Sequence, residues 1–431
     1  MPIEPKLLKG FRDFLPDQAS ARRSAQRAIE SVFVRHGYAP IDTPVLEYAE
    51  ILLSKGGGET DKQVYRFADQ GGRDVAMRFD LTVPFARYMA QHQAELYIPF
   101  RRYHMAKVFR GEKPQRGRYR EFMQCDVDMV GSDSASADAE IMMVMADALQ
   151  AAGAPGVRMH LSHRGLTNRL LGHIGLDPDA AAAVLREIDK RRKIGPERSA
   201  AALTELVGAD RAAQIAAFLD CSGGADAIAS AAALAGGPDH DSQRLQQVFA
   251  ILQAAGYADW ALFDPTITRG LDYYTGLVFE TFIQDLESIG SICSGGRYDD
   301  LVATFSKQSM SGIGASIGFD RLLAAIDELQ GGAQARSAGD VLVLHTDPGL
   351  VPEYHRLATE IRSAGFCTEV YPDAKKLAAQ YGYAERKGIP LTVALDRSPD
   401  TLQLRTLADR TQIAVARADI SGAIAAALGR A

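Results

Sequence analysis

The 431-residue sequence predicts an α+β chain: an antiparallel sheet flanked by helices, interrupted by a helical insertion and followed by a separate α/β domain. Three observations carry this. Residues 100–108 and 119–130 are strand-like and flank a loop broken by Gly111, Pro114 and Gly117. Residues 165–256 turn Ala-rich and helical. Beyond a small, polar stretch at 331–337, strand and helix patterns alternate. At about 150 residues per domain, the length allows two or three domains.

Taken in order, Ala25, Ala28, Ile29, Val32 and Phe33 recur at helical spacing over 20–35, and Gly37 ends the helix. Residues 38–45 carry Pro40 and Pro44 among strand formers, which suits an edge or interface strand. Residues 64–67 and 75–79 flank a Gln70-Gly71-Gly72 turn as a hairpin does. Residues 135–152 return to the helical period, and 157–161 read as a strand. Strand patterns resume at Ala261, continue through 277–283 and 290–293, and close with 312–318 running into a helix from Asp320. In the last domain, 341–345, 367–371 and 390–395 read as strands, and 351–364 and 374–387 as helices. The expected domains are 1–164, 165–256 as the insertion, 257–330 resuming the first, and 338–431.

Composition excludes several classes. With 47% hydrophobic and 24% charged residues the chain is globular, and no apolar run of about 18 residues is present to cross a bilayer. The N-terminus lacks an apolar leader, so a cytoplasmic location is expected. Cys125, Cys221, Cys293 and Cys367 are far apart and are read as reduced, mostly packing residues. Net charge is −6, yet residues 101–120 hold eight Lys or Arg against the single acid Glu112.

Four clusters bear chemistry. In 108–128, a period-2 strand turns Arg118, Arg120, Phe122, Gln124, Asp126 and Asp128 to one side. Guanidinium forks bind phosphate oxygens while a ring stacks on a flat base. A charged, solvated hairpin fits the same spacing. In 268–280, Asp272 is placed to anchor Arg269 and leave the Tyr273 and Tyr274 hydroxyls for a small polar ligand, although an edge strand with a tyrosine corner reads alike. Gly295-Gly296 permits a tight bend or a close backbone approach to a ligand. Residues 312–323 form a glycine-rich strand entering a helix with Arg321; this is neither the dinucleotide GxGxxG pattern nor a P-loop. Gly56-Gly57-Gly58 reads as an anion loop or a plain flexible one. His160 and His163 face opposite sides of a strand, which argues against a zinc pair. No Ser/His/Asp or Cys/His arrangement for covalent catalysis is visible.

In this order the clusters resemble the histidyl-tRNA synthetases, class II aminoacyl-tRNA synthetases, over nearly the whole chain. The resemblance rests on Gly10-Phe11-Arg12-Asp13-Phe14-Leu15-Pro16, the segment ending at Pro44 (motif 1), the 108–128 hairpin (motif 2) and 312–323 with Arg321 (motif 3). Its most specific parts are Arg269-Gly270-Leu271-Asp272-Tyr273-Tyr274 and Gly295-Gly296-Arg297-Tyr298-Asp299. It implies a C-terminal anticodon-binding domain, a homodimer built on motif 1, ATP, L-histidine and tRNA(His) as substrates, and Mg²⁺ sharing the pyrophosphate charge.

By the same resemblance Arg110 and Arg269 act at the α-phosphate. Arg118 and Arg321 serve the outer phosphates or adenine face, Phe122 stacks, and Glu112 lies near the base edge. Asp80 and Thr82 receive the α-ammonium with Gln124, and Asp128, Tyr273 and Tyr274 form the imidazole pocket. Asp80 and Asp128 stand where many bacterial members carry Glu, as in the eukaryote-type branch. The rival is the non-catalytic, synthetase-like regulatory subunit of ATP phosphoribosyltransferase, a relative that typically lacks the C-terminal domain and has decayed motifs.

Overall fold

A computed structural model describes residues 3–54, 63–268, 274–299, 301–331, 339–396, 398 and 400–430. The Gly56–Gly58 loop and most of the 331–337 stretch lie outside them. The chain divides into two compact units, Met1–Asp13 with Ala25–Gly332, and Phe14–Ser24 with Ala333–Ala431.

Helix α1 (Pro16–Arg35) belongs to the first unit from Ala25 onward, and that unit continues with β1 (Ala39–Pro40), β2 (Leu46–Tyr48), α2 (Ala49–Leu53), β3 (Arg66–Ala68), β4 (Asp74–Met77) and α3 (Thr82–His92). The proline-rich 38–45 segment yields just the two residues of β1, at the sheet edge, because proline cannot donate to a ladder. The expected hairpin forms, with Arg66 paired to Ala76, and β2 joins its other side.

Next come β5 (Phe100–Phe109), β6 (Glu121–Val130), α4 (Ala135–Ala151) and β7 (Val157–His163). The helices α5 (Arg164–His173), α6 (Pro178–Ile194), α7 (Pro196–Val207), α8 (Ala209–Leu219), α9 (Ala225–Leu234) and α10 (His240–Ala254) follow. Helix α10 starts on a capping box in which Asp239 and Ser242 satisfy each other's backbone amides. Then come β8 (Ala261–Phe263), β9 (Leu277–Ile283), β10 (Cys293–Tyr298), β11 (Gly312–Gly318) and α11 (Phe319–Gln330).

Among the described residues the main sheet runs β1-β5-β6-β11-β10-β9-β7-β8. It is antiparallel except at its rims, where β1 joins β5 and β7 joins β8 in parallel. The period-2 alternation of strands gives this sheet two unlike faces. Met123, Cys125, Val127 and Met129 of β6 join Ile313, Ala315 and Ile317 of β11 and Phe279 of β9 on the apolar face. Ile29, Val32 and Phe33 of α1 and Ile141, Val144 and Met145 of α4 cover it. The same hydrophobic cluster runs on through Val184, Ile215, Phe218 and Leu245 of the helical segment, which thus shares the sheet's core. The opposite face carries the even-numbered residues of β6.

Two expectations need correcting. Residues 290–293 are not a strand: β10 begins at Cys293 and takes Gly295 and Gly296 into its interior. These glycines make no bend. A Cβ on Gly295 would come within 2.5 Å of the Phe279 ring, and one on Gly296 within 2.9 Å of the Leu277 carbonyl and the Tyr274 ring, so they serve close strand packing. Of the cysteines read as mostly packing residues, Cys125 and Cys293 are buried, while Cys221 is half-buried and Cys367 exposed.

The second unit holds β12 (Val341–Val343), α12 (Val351–Ser363), β13 (Thr368–Val370), α13 (Leu377–Lys387), β14 (Leu391–Leu395), β15 (Thr401–Thr406), β16 (Gln412–Ala416) and α14 (Ile420–Leu428). Its sheet order is β13-β12-β14-β15-β16, with β12 parallel to both neighbours. Val341, Val343, Leu391 and Val393 pack on one side with Tyr354, Leu357 and Ile424, while Leu342 and Leu344 face Ala384 on the other. The closing β15–β16 hairpin and α14 extend the α/β pattern read from the sequence.

Candidate active site

The even face of β6 is a row of polar side chains that the sheet buries: Gln124, Asp126 and Asp128 are 7%, 1% and 2% exposed. Register brings β5 and β11 to either side. Arg102 and Gly314 lie opposite Asp128, His104 and Ser316 opposite Asp126, and Ala106 and Gly318 opposite Gln124. Asp80, fully buried, joins them from the turn before α3, where one of its oxygens accepts from the Val83 amide at 3.2 Å. Thr82, also buried, opens that helix.

Charge dominates this floor. Arg102 is fully buried, places Nη2 2.6 Å from Asp128 Oδ2, and lies 4.2 Å over the Phe85 ring. Tyr298, from β10, donates its hydroxyl to the other oxygen of Asp128. Burial pushes Asp128 up to about 7, against the pull of Arg102, and pushes Asp80 and Asp126 up to about 6. Four oxygens on this floor are buried without a hydrogen-bond partner: Asp128 Oδ2, which has its ion pair with Arg102, and Asp80 Oδ2, Gln124 Oε1 and Asp126 Oδ1, which have no ion pair among the described residues. Gln124 donates its amide to Ser316 at 2.8 Å, which fixes its oxygen as the open acceptor. A protein leaves such acceptors unpaired at a cost, and a ligand rich in N–H donors would offset it.

Beside the floor lies a cavity of about 870 Å³ whose wall includes Arg118, Arg321, Glu280, Phe282, Arg192 and Lys193. Burial, and then the neighbouring Arg118, push Arg321 down to about 10, so it stays a cation at neutral pH. Its guanidinium donates to the Ser291 carbonyl at 2.5 Å. Arg192 comes from α6, pairs with Asp264 at 2.6 Å and lies 4.2 Å over the Phe282 ring, so the helical segment supplies part of the wall.

Arg118 and Arg120 precede β6 and do not share its face, because the strand begins at Glu121. Arg118 sits in the turn bridged by Gln115 and pairs with Glu112 at 3.5 Å, so Glu112 faces a guanidinium. Arg110 hangs from the Phe79 carbonyl at 2.9 Å, with its guanidinium 5.0 Å over Phe122. A strap at the N-terminus braces this hairpin: Gly10 accepts from the Arg120 amide, and Arg12 stacks on Tyr119 and pairs with Asp320.

The structure therefore brings Asp80, Thr82, Gln124 and Asp128 into the floor and Arg118 and Arg321 into the cavity wall, with Arg110, over Phe122, near enough to both Asp80 and Arg321 for its charge to act on them. Tyr274 is buried, its ring against Gly296 and its carbonyl accepting from Arg164. Arg269 and Tyr273 lie outside the described residues. Sequence reasoning assigned no role to Arg102, Ser316 or Tyr298. The opposite charges at Arg102 and Asp128 signal their pairing once the strand register is known.

A family profile described as histidyl-tRNA synthetase matches residues 10–322, and one described as an anticodon binding domain matches 340–427. A protein of Treponema denticola named histidine–tRNA ligase is 48% identical over 404 residues, 92% of this chain and 90% of its own. A solved structure of histidyl-tRNA synthetase from Nostoc sp. PCC 7120 superposes with a TM-score of 0.90 at 28% identity, over 98% of this chain and 99% of that one. Another, titled an ATP phosphoribosyltransferase regulatory subunit/histidyl-tRNA synthetase from Bacillus halodurans C, matches with a TM-score of 0.76 over 89% and 97% of the two chains; its 24% identity speaks for the fold alone. The architecture is that of a synthetase core followed by an anticodon-binding domain. The chain belongs to the histidyl-tRNA synthetase family.

Proposed function

We infer that the chain activates L-histidine with ATP to histidyl-adenylate and transfers the histidyl group to the 3′ end of tRNA(His), the reaction of a histidine–tRNA ligase. One observation carries the reading: a buried floor of unpaired acceptors and carboxylates beside a cavity walled by arginines. The floor suits the ammonium and imidazole N–H groups of histidine, and the arginines suit a polyphosphate.

In the first step the histidine carboxylate attacks the α-phosphorus, the bond to the bridging oxygen breaks, and pyrophosphate leaves. This needs in-line placement and cations around the developing charge. Asp80, Thr82 and Gln124 hold the ammonium, and Asp128 with Tyr273 and Tyr274 receives the ring, so the carboxylate is turned toward the nucleotide. Arg110 and Arg269 take the α-phosphate, Arg118 and Arg321 the outer phosphates or adenine face, and Phe122 stacks, with Glu112 close by. In the second step a hydroxyl of the terminal tRNA adenosine attacks the carbonyl carbon and AMP leaves.

An apolar side chain of imidazole's size would bring no N–H to the Asp128 carboxylate and no polar edge to the tyrosines, which is the basis of selection. Glu280 and Glu287 in the cavity wall are carboxylates of the kind that hold Mg²⁺ together with phosphate oxygens, and the ion would neutralise pyrophosphate charge. The homodimer that the resemblance implies, and the cytoplasmic location expected from the sequence, belong to the same proposal. Among the described residues no helix is long and apolar enough to cross a membrane.

The test is histidine-dependent exchange of pyrophosphate into ATP, run across all twenty amino acids and followed by charging of tRNA(His). Exchange with histidine alone is expected. Its absence in protein that still binds ATP would favour a regulatory subunit. Arg269→Ala should slow adenylate formation by about 10²–10³, as for loss of one preorganised charge donor.

A further inference from the structure

We propose that Asp126 is a further, charged acceptor of the amino-acid subsite, meeting the substrate's α-ammonium alongside Asp80, Thr82 and Gln124. The inference rests on histidine being the substrate, and adds to the site a residue that the family resemblance did not assign.

Position comes first. Asp126 lies two residues from Gln124 and two from Asp128 on one face of β6, so a ligand spanning those two passes over it. Its Oδ1 is buried without a hydrogen-bond partner, as are Asp80 Oδ2 and Gln124 Oε1. These three open acceptors, two of them carboxylate oxygens, stand with the Thr82 hydroxyl where an ammonium has three N–H groups and a positive charge to place, so its N–H groups are shared among them.

Asp126 is not spoken for as a structural counter-ion. Arg102, across the strand pair, pairs with Asp128 at 2.6 Å and acts on Asp126 as a charge without an ion-pair contact. No cation comes within 4.0 Å of the Asp126 carboxylate among the described residues. His104, directly opposite on β5, turns Nε2 toward Asp42 at 3.1 Å, and burial, then Arg102 and Arg78, hold it down at about 4, so it is neutral near pH 7. On the other side Ser316 offers a hydroxyl, and Asp80, Asp128, Arg78 and Arg110 complete the charged surroundings. Two of these carboxylates oppose the charge on Asp126, so a cationic ligand relieves all three together.

The experiment measures binding of three ligands to the full chain by calorimetry: L-histidine, histidinol, which keeps the ammonium and lacks the carboxylate, and 3-(imidazol-4-yl)propanoate, which lacks the ammonium. Asp126→Asn should weaken histidine and histidinol about ten- to hundred-fold, as for loss of one charged hydrogen bond. Imidazolylpropanoate should bind as to the wild type. In pyrophosphate exchange the variant should raise KM for histidine and leave KM for ATP in place. Asp126→Ala, which removes the whole carboxylate, must show the same split, and covers the case in which the Asn variant does not fold. Equal loss of all three ligands, or no loss, in either folded variant overturns the inference alone. Wild-type protein that binds none of the three overturns the functional reading and this inference with it.

Discussion

Tyr298 of β10 hydrogen-bonds Asp128 of β6 across an intervening strand, β11. The contact exists because β11 carries glycine at the two positions beneath it. A Cβ on Gly312 would meet the Tyr298 ring at 2.5 Å, and one on Gly314 would meet Asp128 Oδ1 at 2.0 Å. The glycine-rich text of 312–318 thus clears a path for a phenol to reach a carboxylate.

Tyr298→Phe removes that donor while keeping the ring. Asp128 then loses a hydrogen bond worth about 1.5–3 kcal/mol to its charged form, and KM for histidine should rise roughly tenfold or more. KM for ATP should not move. Steady-state pyrophosphate exchange reads both, and an unchanged KM for histidine would separate Tyr298 from the amino-acid pocket.

Gly314→Ala drives a methyl group into Asp128. Overpacking of this kind costs about 1–3 kcal/mol, and here it also displaces the carboxylate. Denaturant unfolding should begin earlier, and histidine-dependent exchange should fall further than the stability loss explains. Gly318→Ala, whose Cβ would have its nearest neighbour at 3.7 Å, is the mild control for steric strain.

Histidine affinity should depend on pH through the floor. Asp128 is raised by burial to about 7, and Asp80 and Asp126 to about 6. All three lie above their unfolded values near 4, so the folded chain binds these protons more tightly than the unfolded one. Their contribution to ligand-free stability is therefore complete below about pH 4 and is lost as pH rises through 6 to 7. Histidine needs the ionised floor, so its stabilising effect in thermal melts should grow over the same interval, with KM for histidine rising as pH falls below about 7. A flat profile would show that these carboxylates do not face the substrate.

Asp138 of α4 is fully buried between two arginines. Arg297 of β10 donates through Nη2 at 2.6 Å, and Arg244 of α10 through Nε at 2.6 Å. Asp138→Ala leaves two guanidiniums facing each other in the interior, and should cost about 3–5 kcal/mol in chemical denaturation. Arg244→Met should cost less, since Asp138 keeps its pair with Arg297.

Much of this was legible in the sequence wherever local pattern decides. The hairpin strands of 100–130, the strand at 312–318 and the helices around Ile29 and Ile141 follow from period and from glycine or proline punctuation. The row Gln124, Asp126, Asp128 followed from alternation alone. What alternation cannot supply is the partner across the sheet. Arg102 meets Asp128, Ser316 meets Gln124, and Tyr298 crosses a strand, all through registers set by packing over distances of 26 to 192 residues in the chain. Gly295-Gly296 misled for a related reason: glycine signals a need for space, and here the space was for Phe279 and Tyr274 inside a sheet. The final hairpin escaped notice because β16 is mostly exposed and alternates weakly.

Strand β6 is loaded on both sides, with methionines and valine beneath and carboxylates above. Slipping its pairing by a single residue would turn Asp126 into the oily layer and Val127 into the catalytic one. This stretch can therefore change its letters but not its length. Inherited gains and losses of residues should gather instead between Lys113 and Gly117, the part of the hairpin tip to which no substrate role falls.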